Sequence, residues 1–136
     1  MLIDDDEPTN FLSNMILEEA GCTEHIQVED TGERAINYLV KSEKHTGTHK
    51  DYPCPELIFL DINMPAMNGW EFLVKYNEWK MEHKGEIVIV MLTTSLDPND
   101  EVKAKNFAAV TDFKHKPLTK EMLKGILNTY FPGSLK

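Results

Sequence analysis

Leu57-Ile58-Phe59-Leu60-Asp61-Ile62-Asn63-Met64-Pro65 is the stretch from which the fold can be read. Four consecutive apolar residues run into an aspartate, and the segment behind it holds Pro65, Asn68 and Gly69. A continuous apolar run, unlike an alternating one, marks a strand covered on both faces, the situation of a parallel sheet with helices on each side. The proline, asparagine and glycine after Asp61 require a loop. From Trp70 to His83 the pattern is helical, with Phe72, Leu73, Tyr76 and Trp79 on one stripe. Ile87-Val88-Ile89-Val90-Met91-Leu92 is a second fully apolar run, ending at Thr93. Strand, loop, helix, strand is a βαβ unit, and its crossover is right-handed almost without exception.

The same alternation extends in both directions. Met1-Leu2-Ile3 runs into Asp4-Asp5-Asp6 and is short for a strand, as if a few residues were lacking ahead of it. A helix follows: Pro8 suits a first turn, Phe11, Leu12, Met15 and Ile16 recur at helical spacing, and Gly21 suits the cap. His25 to Glu29 alternates polar and apolar as an edge strand does. Glu33 to about Lys44 carries a helical stripe of Ala35, Ile36, Leu39 and Val40, and His45 to Glu56, with Gly47, Pro53 and Pro55, is a loop. Asp97 caps a further helix with Pro98 at its first position. A short strand spans Thr111 to Lys114, and Thr119 caps a last helix whose stripe is Met122, Leu123, Ile126, Leu127 and Tyr130, ended by Pro132-Gly133. The expectation is an α/β fold, (βα)₅, a doubly wound parallel five-stranded sheet in the flavodoxin-like order 2-1-3-4-5. Residues 1–136 form one domain in this reading, with no room for a second.

Composition removes several function classes. The chain has 136 residues and a net charge of −9, with 23 acidic against 14 basic residues, the wrong sign for a phosphate backbone. No apolar run approaches the roughly 20 residues of a membrane span, and the N-terminus has neither basic nor apolar signal-peptide character. Cys22 and Cys54 show no metal-type spacing and are expected to be inert thiols in a cytoplasmic protein. The seven glycines are scattered, and neither of the Gly-rich phosphate-binding loops of nucleotide enzymes occurs.

In an open α/β sheet, sites form beyond the carboxyl ends of the strands, where the strand order reverses. At those ends lie Asp4, Asp5 and Asp6, then Asp61 and Asn63, then Thr93, Thr94 and Ser95, then Lys116-Pro117. Crowded carboxylates repel unless a cation joins them, and an all-oxygen set suits Mg²⁺ rather than Zn²⁺. A magnesium ion with a lysine receives phosphoryl oxygens, and an aspartate beside them is a nucleophile towards phosphorus.

Taken together, Asp4-Asp5, Leu60-Asp61-Ile62-Asn63-Met64-Pro65 with Gly69, Leu92-Thr93 and Lys116-Pro117 resemble the response-regulator receiver domains of two-component signalling, of the stand-alone chemotaxis type. The resemblance covers essentially the whole chain. It implies that Asp61 is the phosphoacceptor, that Asp5, Asp61 and the Asn63 carbonyl bind Mg²⁺ with Asp4 acting through water, and that Lys116 contacts the acyl phosphate. It further implies that Thr93 and Phe113 are the switch pair and that the Lys116-Pro117 bond is cis. A sensor histidine kinase or a phosphotransfer protein would be the donor. The reader would be a downstream protein, or a second copy of the chain, at the face of the fourth helix, fifth strand and fifth helix. Such a phosphoprotein catalyses only its own phosphorylation and dephosphorylation and is not an enzyme in the usual sense. The sequence departs from the family in Phe113 where tyrosine is common, in Thr94 where alanine is usual, and in the long loop from His45 to Glu56.

Each residue also has a plainer reading. Asp4 to Asp6 can be a solvated charge run and a helix cap, Lys116 a solvated lysine and Phe113 core. Trp70, Tyr76 and Trp79 read as helix packing, His45 and His49 as solvent-facing, and His115 as directed away from the pocket. Two other functions stand beside the switch. A Mg²⁺-dependent phosphohydrolase with an aspartyl nucleophile needs D-x-D, and here the second position is Asn63, which cannot donate and reclaim a proton. A receiver that acts without phosphorylation would be marked by loss of Asp61, Thr93 or Lys116, and all three are present.

Overall fold

The computed structural model describes residues 1–44, 53–80 and 86–133. The elements follow in strict alternation: β1 (Leu2–Ile3), α1 (Glu7–Ala20), β2 (Val28–Glu29), α2 (Gly32–Lys44), β3 (Leu57–Leu60), α3 (Gly69–Lys80), β4 (Val88–Thr93), α4 (Pro98–Lys105), β5 (Val110–His115) and α5 (Lys120–Tyr130). All pairings are parallel, and the order is β2-β1-β3-β4-β5, as the sequence predicts. His45 and His49 lie outside the described residues, as do Met81 to Gly85 beyond the end of α3.

The side-chain parity of the strands divides the core into two layers. Ile3, Ile58, Leu60, Ile89 and Met91 face α2, α3 and α4, where they meet Ala35, Leu39, Phe72, Leu73, Tyr76, Trp79 and Ala104. Leu2, Phe59, Val90 and Leu92 face the other way, onto Leu17 of α1 and Leu123, Ile126 and Leu127 of α5. Both sides of β3 and β4 are thus covered, which is why their sequences are continuously apolar. The register aligns Ile3, Leu60, Met91 and Phe113 across four strands, so the residues that follow Ile3 and Leu60, namely Asp4 and Asp61, emerge side by side.

Two helix starts follow their caps. Asp97 accepts the Asn99 N–H with Pro98 in the first turn of α4, and Thr119 accepts the Met122 N–H at the start of α5. The α3 stripe is buried as the sequence predicts, and so is the centre of the α5 stripe at Leu123, Ile126 and Leu127, with Met122 and Tyr130 partly buried at its ends. The α1 stripe is not. Phe11, Leu12 and Met15 are exposed, Phe11 by 69%, and the inward face of α1 is Asn10, Ser13 and Leu17. The reason is positional: the first turns of α1 lie over the polar end of β1, where Asn10 donates through Nδ2 to the Asp4 carbonyl at 2.8 Å, and the helix reaches the apolar layer only in its later turns, through buried Leu17 and partly buried Ile16 and Ala20. Strand β2 is also shorter than the alternation from His25 suggests. It ladders at Val28 and Glu29 alone, though the Gln27 carbonyl still accepts the Leu2 N–H at 2.8 Å.

A cavity of about 590 Å³ opens at the amino end of the sheet, among Met1, Cys22, Ile26, Leu57 and Phe131. None of the strand-end carboxylates lines it. Parallel strands put their carboxyl ends on the opposite edge, and it is there that the chemistry-bearing residues gather.

The burial pattern of α1 gives a direct test. Leu17→Ala is expected to cost about 2–5 kcal/mol, as large-to-small core substitutions do. Phe11→Ala is expected to stay within about 0.5 kcal/mol, as exposed substitutions do. Urea unfolding of the two variants measures this, and equal costs would restore the stripe read from the sequence.

Candidate functional site

The three consecutive aspartates have three different jobs, fixed by the turn from β1 into α1. The Asp4 N–H continues the β1–β2 pairing to the Glu29 carbonyl at 3.2 Å, and its side chain is buried. Its Oδ1 accepts the Asp6 N–H at 2.9 Å. Asp6 is the cap of α1: its carboxylate accepts the Thr9 N–H at 3.1 Å and also the Thr9 hydroxyl. Those hydrogen bonds hold the Asp6 carboxyl below its usual range. Asp5, between them, is exposed at the mouth of the site. The acidic pair is therefore Asp4-Asp5, with Asp6 turned away to the helix.

Asp61 is placed by β3 and by the loop behind it. Its N–H donates to the Ile3 carbonyl at 2.9 Å, one step beyond the last ladder pair. The loop then turns back so closely that the Gly69 N–H bonds the Ile62 carbonyl at 2.8 Å. A Cβ at Gly69 would stand 2.5 Å from the Asp61 carbonyl oxygen and 2.9 Å from the Ile62 Cα. Both are backbone atoms, so no side chain can be fitted there without displacing the turn that carries Asp61. Ala66, with φ of 64°, takes the left-handed conformation that completes the loop.

Lys116 reaches in from the end of β5. Its backbone N–H donates to the Thr93 carbonyl at 2.8 Å, and its bond to Pro117 is cis. Its ammonium lies 2.5 Å from Asp4 Oδ2 and 3.4 Å from Asp61 Oδ1, and all three side chains are nearly buried. Asp4, Asp5 and Asp61 each offer an oxygen within 4.8 Å of the others. Burial, and then the neighbouring Asp4 charge, push the Asp61 carboxyl up from 3.8 to about 6, with Lys116 pulling against them. Burial alone would lower the Lys116 ammonium, but its hydrogen bond to Asp4 and the charges of Asp4 and Asp61 outweigh that and raise it. Three carboxylates against one ammonium leave room for a further cation, and the all-oxygen donor set has the hard character that Mg²⁺ prefers.

Thr93 is wholly buried at the end of β4, and its Oγ1 accepts the Ser95 N–H at 3.1 Å. Phe113 is half-buried on β5, packed against the layer beneath α2 to α4, with its ring edge-on to exposed His115 at 5.6 Å. Asn63 stands exposed two residues after Asp61. The fold thus brings Asp4, Asp5, Asp61 and Lys116 together and sets Thr93 and Phe113 on the adjoining strands. Sequence reasoning missed Asn10, whose side chain ties α1 to Asp4, and the contact of Ser95 with Asp100. Polar residues at 10 and 13, on the same helix face as Leu17, were the available signal for the first. Nothing in the sequence marks the second. No helix among the described residues is long and apolar enough to cross a membrane.

A family model described as the response regulator receiver domain matches residues 1–128. A two-component response regulator from Cytophaga hutchinsonii is 34% identical and superimposes with a TM-score of 0.79, covering 94% of this chain and 92% of its own. A probable cyclic di-GMP phosphodiesterase of Vibrio cholerae is 30% identical over 134 residues, and hybrid signal transduction histidine kinase C of Dictyostelium discoideum is 29% identical over 134 residues. Each of these two matches covers 96% of this chain, which spans only 26% and 10% of those relatives' lengths, respectively.

The Asp61 environment predicts a pH dependence. The folded chain holds this proton more tightly than the unfolded one, for which the carboxyl ionises near 3.8 against about 6. Without divalent cations, stability should therefore fall as pH rises from about 4 to about 6 and level off above that. Asp61→Asn removes the effect. It should be more stable than wild type by about 1–2 kcal/mol at pH 7 in EDTA, after allowance for solvent screening, and no more stable below about pH 4. Thermal unfolding at the two pH values is the measurement, and an equal gain at both would contradict it.

Proposed function

The chain belongs to the response regulator receiver family, and from that premise we propose that it is a phosphorylation switch whose acceptor is Asp61, charged by a histidine kinase or a phosphotransfer protein. The observation that carries the reading is the carboxyl-edge cluster in which one ammonium, Lys116, bridges the Asp4 and Asp61 carboxylates. A carboxylate oxygen of Asp61 attacks phosphorus, the bond from phosphorus to the donor breaks, and the donor leaves with its electron pair. An aspartyl phosphate remains, and water later attacks it to regenerate the carboxylate.

Asp5, Asp61 and the Asn63 carbonyl would hold Mg²⁺, with Asp4 acting through water. Bound there, the ion would offset the charge that builds on the phosphoryl oxygens. Lys116, freed from Asp61 as that carboxylate is phosphorylated, meets the same oxygens with its ammonium. The Thr93 hydroxyl turns to the phosphoryl group, and the Phe113 ring fills the space it leaves. With no phenolic hydroxyl at 113, the response rests on ring packing. The altered face of α4, β5 and α5 is then read by a partner protein or by a second copy of the chain. Donors of this kind work in the cytoplasm, where we place the protein. It turns over no external substrate. The names of the Cytophaga regulator and of the Dictyostelium hybrid kinase support a place in such a relay.

Incubation with acetyl phosphate and Mg²⁺ should add about 80 Da to the intact mass through one acyl phosphate, removable by hydroxylamine. Asp61→Asn should not be labelled, and EDTA should abolish labelling of the wild type. Lys116→Ala should slow labelling by about 10²–10³-fold while leaving Mg²⁺ binding largely intact. Full labelling of Asp61→Asn would refute the assignment.

A further inference from the structure

Helix α4 is weakly anchored by apolar packing. It has eight residues, and only Ala104 is buried. What ties it down is polar at one end and aromatic at the other. At its amino end the Ser95 hydroxyl donates to the Asp100 carboxylate in the first turn, and accepts the Asp97 N–H at 3.3 Å. The backbone N–H of the same Ser95 donates to the Thr93 hydroxyl oxygen at 3.1 Å. At its carboxyl end the Lys103 ammonium stands 4.8 Å over the Trp70 ring, and Phe107 stacks on that ring at 5.7 Å. One residue, Ser95, is thus bonded through its main chain to Thr93 and through its side chain to α4.

We propose that Ser95 is a positioning residue: a latch that joins the rotamer of Thr93 to the seat of α4 and favours the arrangement seen here. The inference rests on the role given above to the Thr93 hydroxyl. A hydroxyl that swings to a phosphoryl group at Asp61 changes its χ1 well and gives up the Ser95 N–H. An N–H left without a partner in a part-buried loop costs free energy, so the loop shifts to re-pair it. Because Ser95 Oγ holds Asp100, the first turn of α4 must move with the loop or release it. The helix itself survives release, since Asp97 still caps the Asn99 N–H at 2.9 Å. Breaking the latch therefore lowers the cost of the switched arrangement without unfolding α4, and a ligand that selects that arrangement binds more tightly in proportion to its increased population.

The test is the apparent affinity for beryllofluoride with Mg²⁺, a phosphoryl mimic, measured by amide NMR titration in wild type, Ser95→Ala, Ser95→Thr, Asp100→Ala and the Ser95→Ala/Asp100→Ala pair. Ser95→Ala and Asp100→Ala should each bind about three- to tenfold more tightly than wild type, by population shift. The pair should bind no more tightly than either single variant, because both break one link. Ser95→Thr, which keeps the hydroxyl, should match wild type. A merely structural role would lower the thermal midpoint without tightening the mimic, so that result, or any other affinity pattern, overturns the latch. A wild type that does not bind beryllofluoride, or binding that survives Asp61→Asn, overturns the reading of Asp61 instead, and the latch with it.

Discussion

The contact on which the site depends is the Lys116 ammonium lodged between the Asp4 and Asp61 carboxylates. Each partner comes from a different strand end, so the contact depends on the register of the sheet. Ile3, Leu60, Met91 and Phe113 lie in one row; β1 and β3 end there, while β5 runs on two residues to His115, and Lys116 then reaches back to the two aspartates. A buried ion cluster contributes little net stability, since desolvation opposes the attraction. Its value is chemical. Burial and the Asp4 charge keep the Asp61 carboxyl less acidic than in water, while the Lys116 ammonium holds the two carboxylates together at the carboxyl edge of the sheet. The hydrophobic layers on the two sides of the sheet supply the stability that this polar edge lacks.

Much of this was legible in the sequence because it depends on strong local signals. The runs at 57–60 and 87–92 are apolar without a break because both faces of these strands are covered. Asp61, Lys116 and the acidic pair follow from where those runs end. The inward face of α1 was not legible in the same way. Apolar periodicity assumes that a helix packs against an apolar surface, and the first turns of α1 instead meet the Asp4 backbone, which asks for the amide of Asn10. The cap at Asp6 is local chemistry, and it settles which two of three aspartates line the site. The link from Ser95 to Asp100 joins residues only five apart, yet it has no signature, because serine and aspartate near a helix start are ordinary capping residues.

Gly69 shows how tightly the loop behind Asp61 is specified. The close approach of its Cα to the Asp61 carbonyl closes the turn, and α3 starts at the same residue. The next residue is Trp70. The geometry of the turn behind Asp61 and the position of the indole are therefore set by one short piece of backbone, and the indole in turn carries Lys103 of α4 and the stacked Phe107.

This arrangement has an optical consequence. The emission colour and yield of an indole respond to charges and rings against its face, and Trp70 has an ammonium on α4 and a phenyl ring just beyond that helix as such neighbours. The chain has two tryptophans, and the second, Trp79, sits in the buried layer with Tyr76 and Phe72. Displacement of α4 thus alters the charge and the ring that lie directly against the Trp70 indole. The protein carries its own gauge of helix position, readable in dilute solution with no label attached.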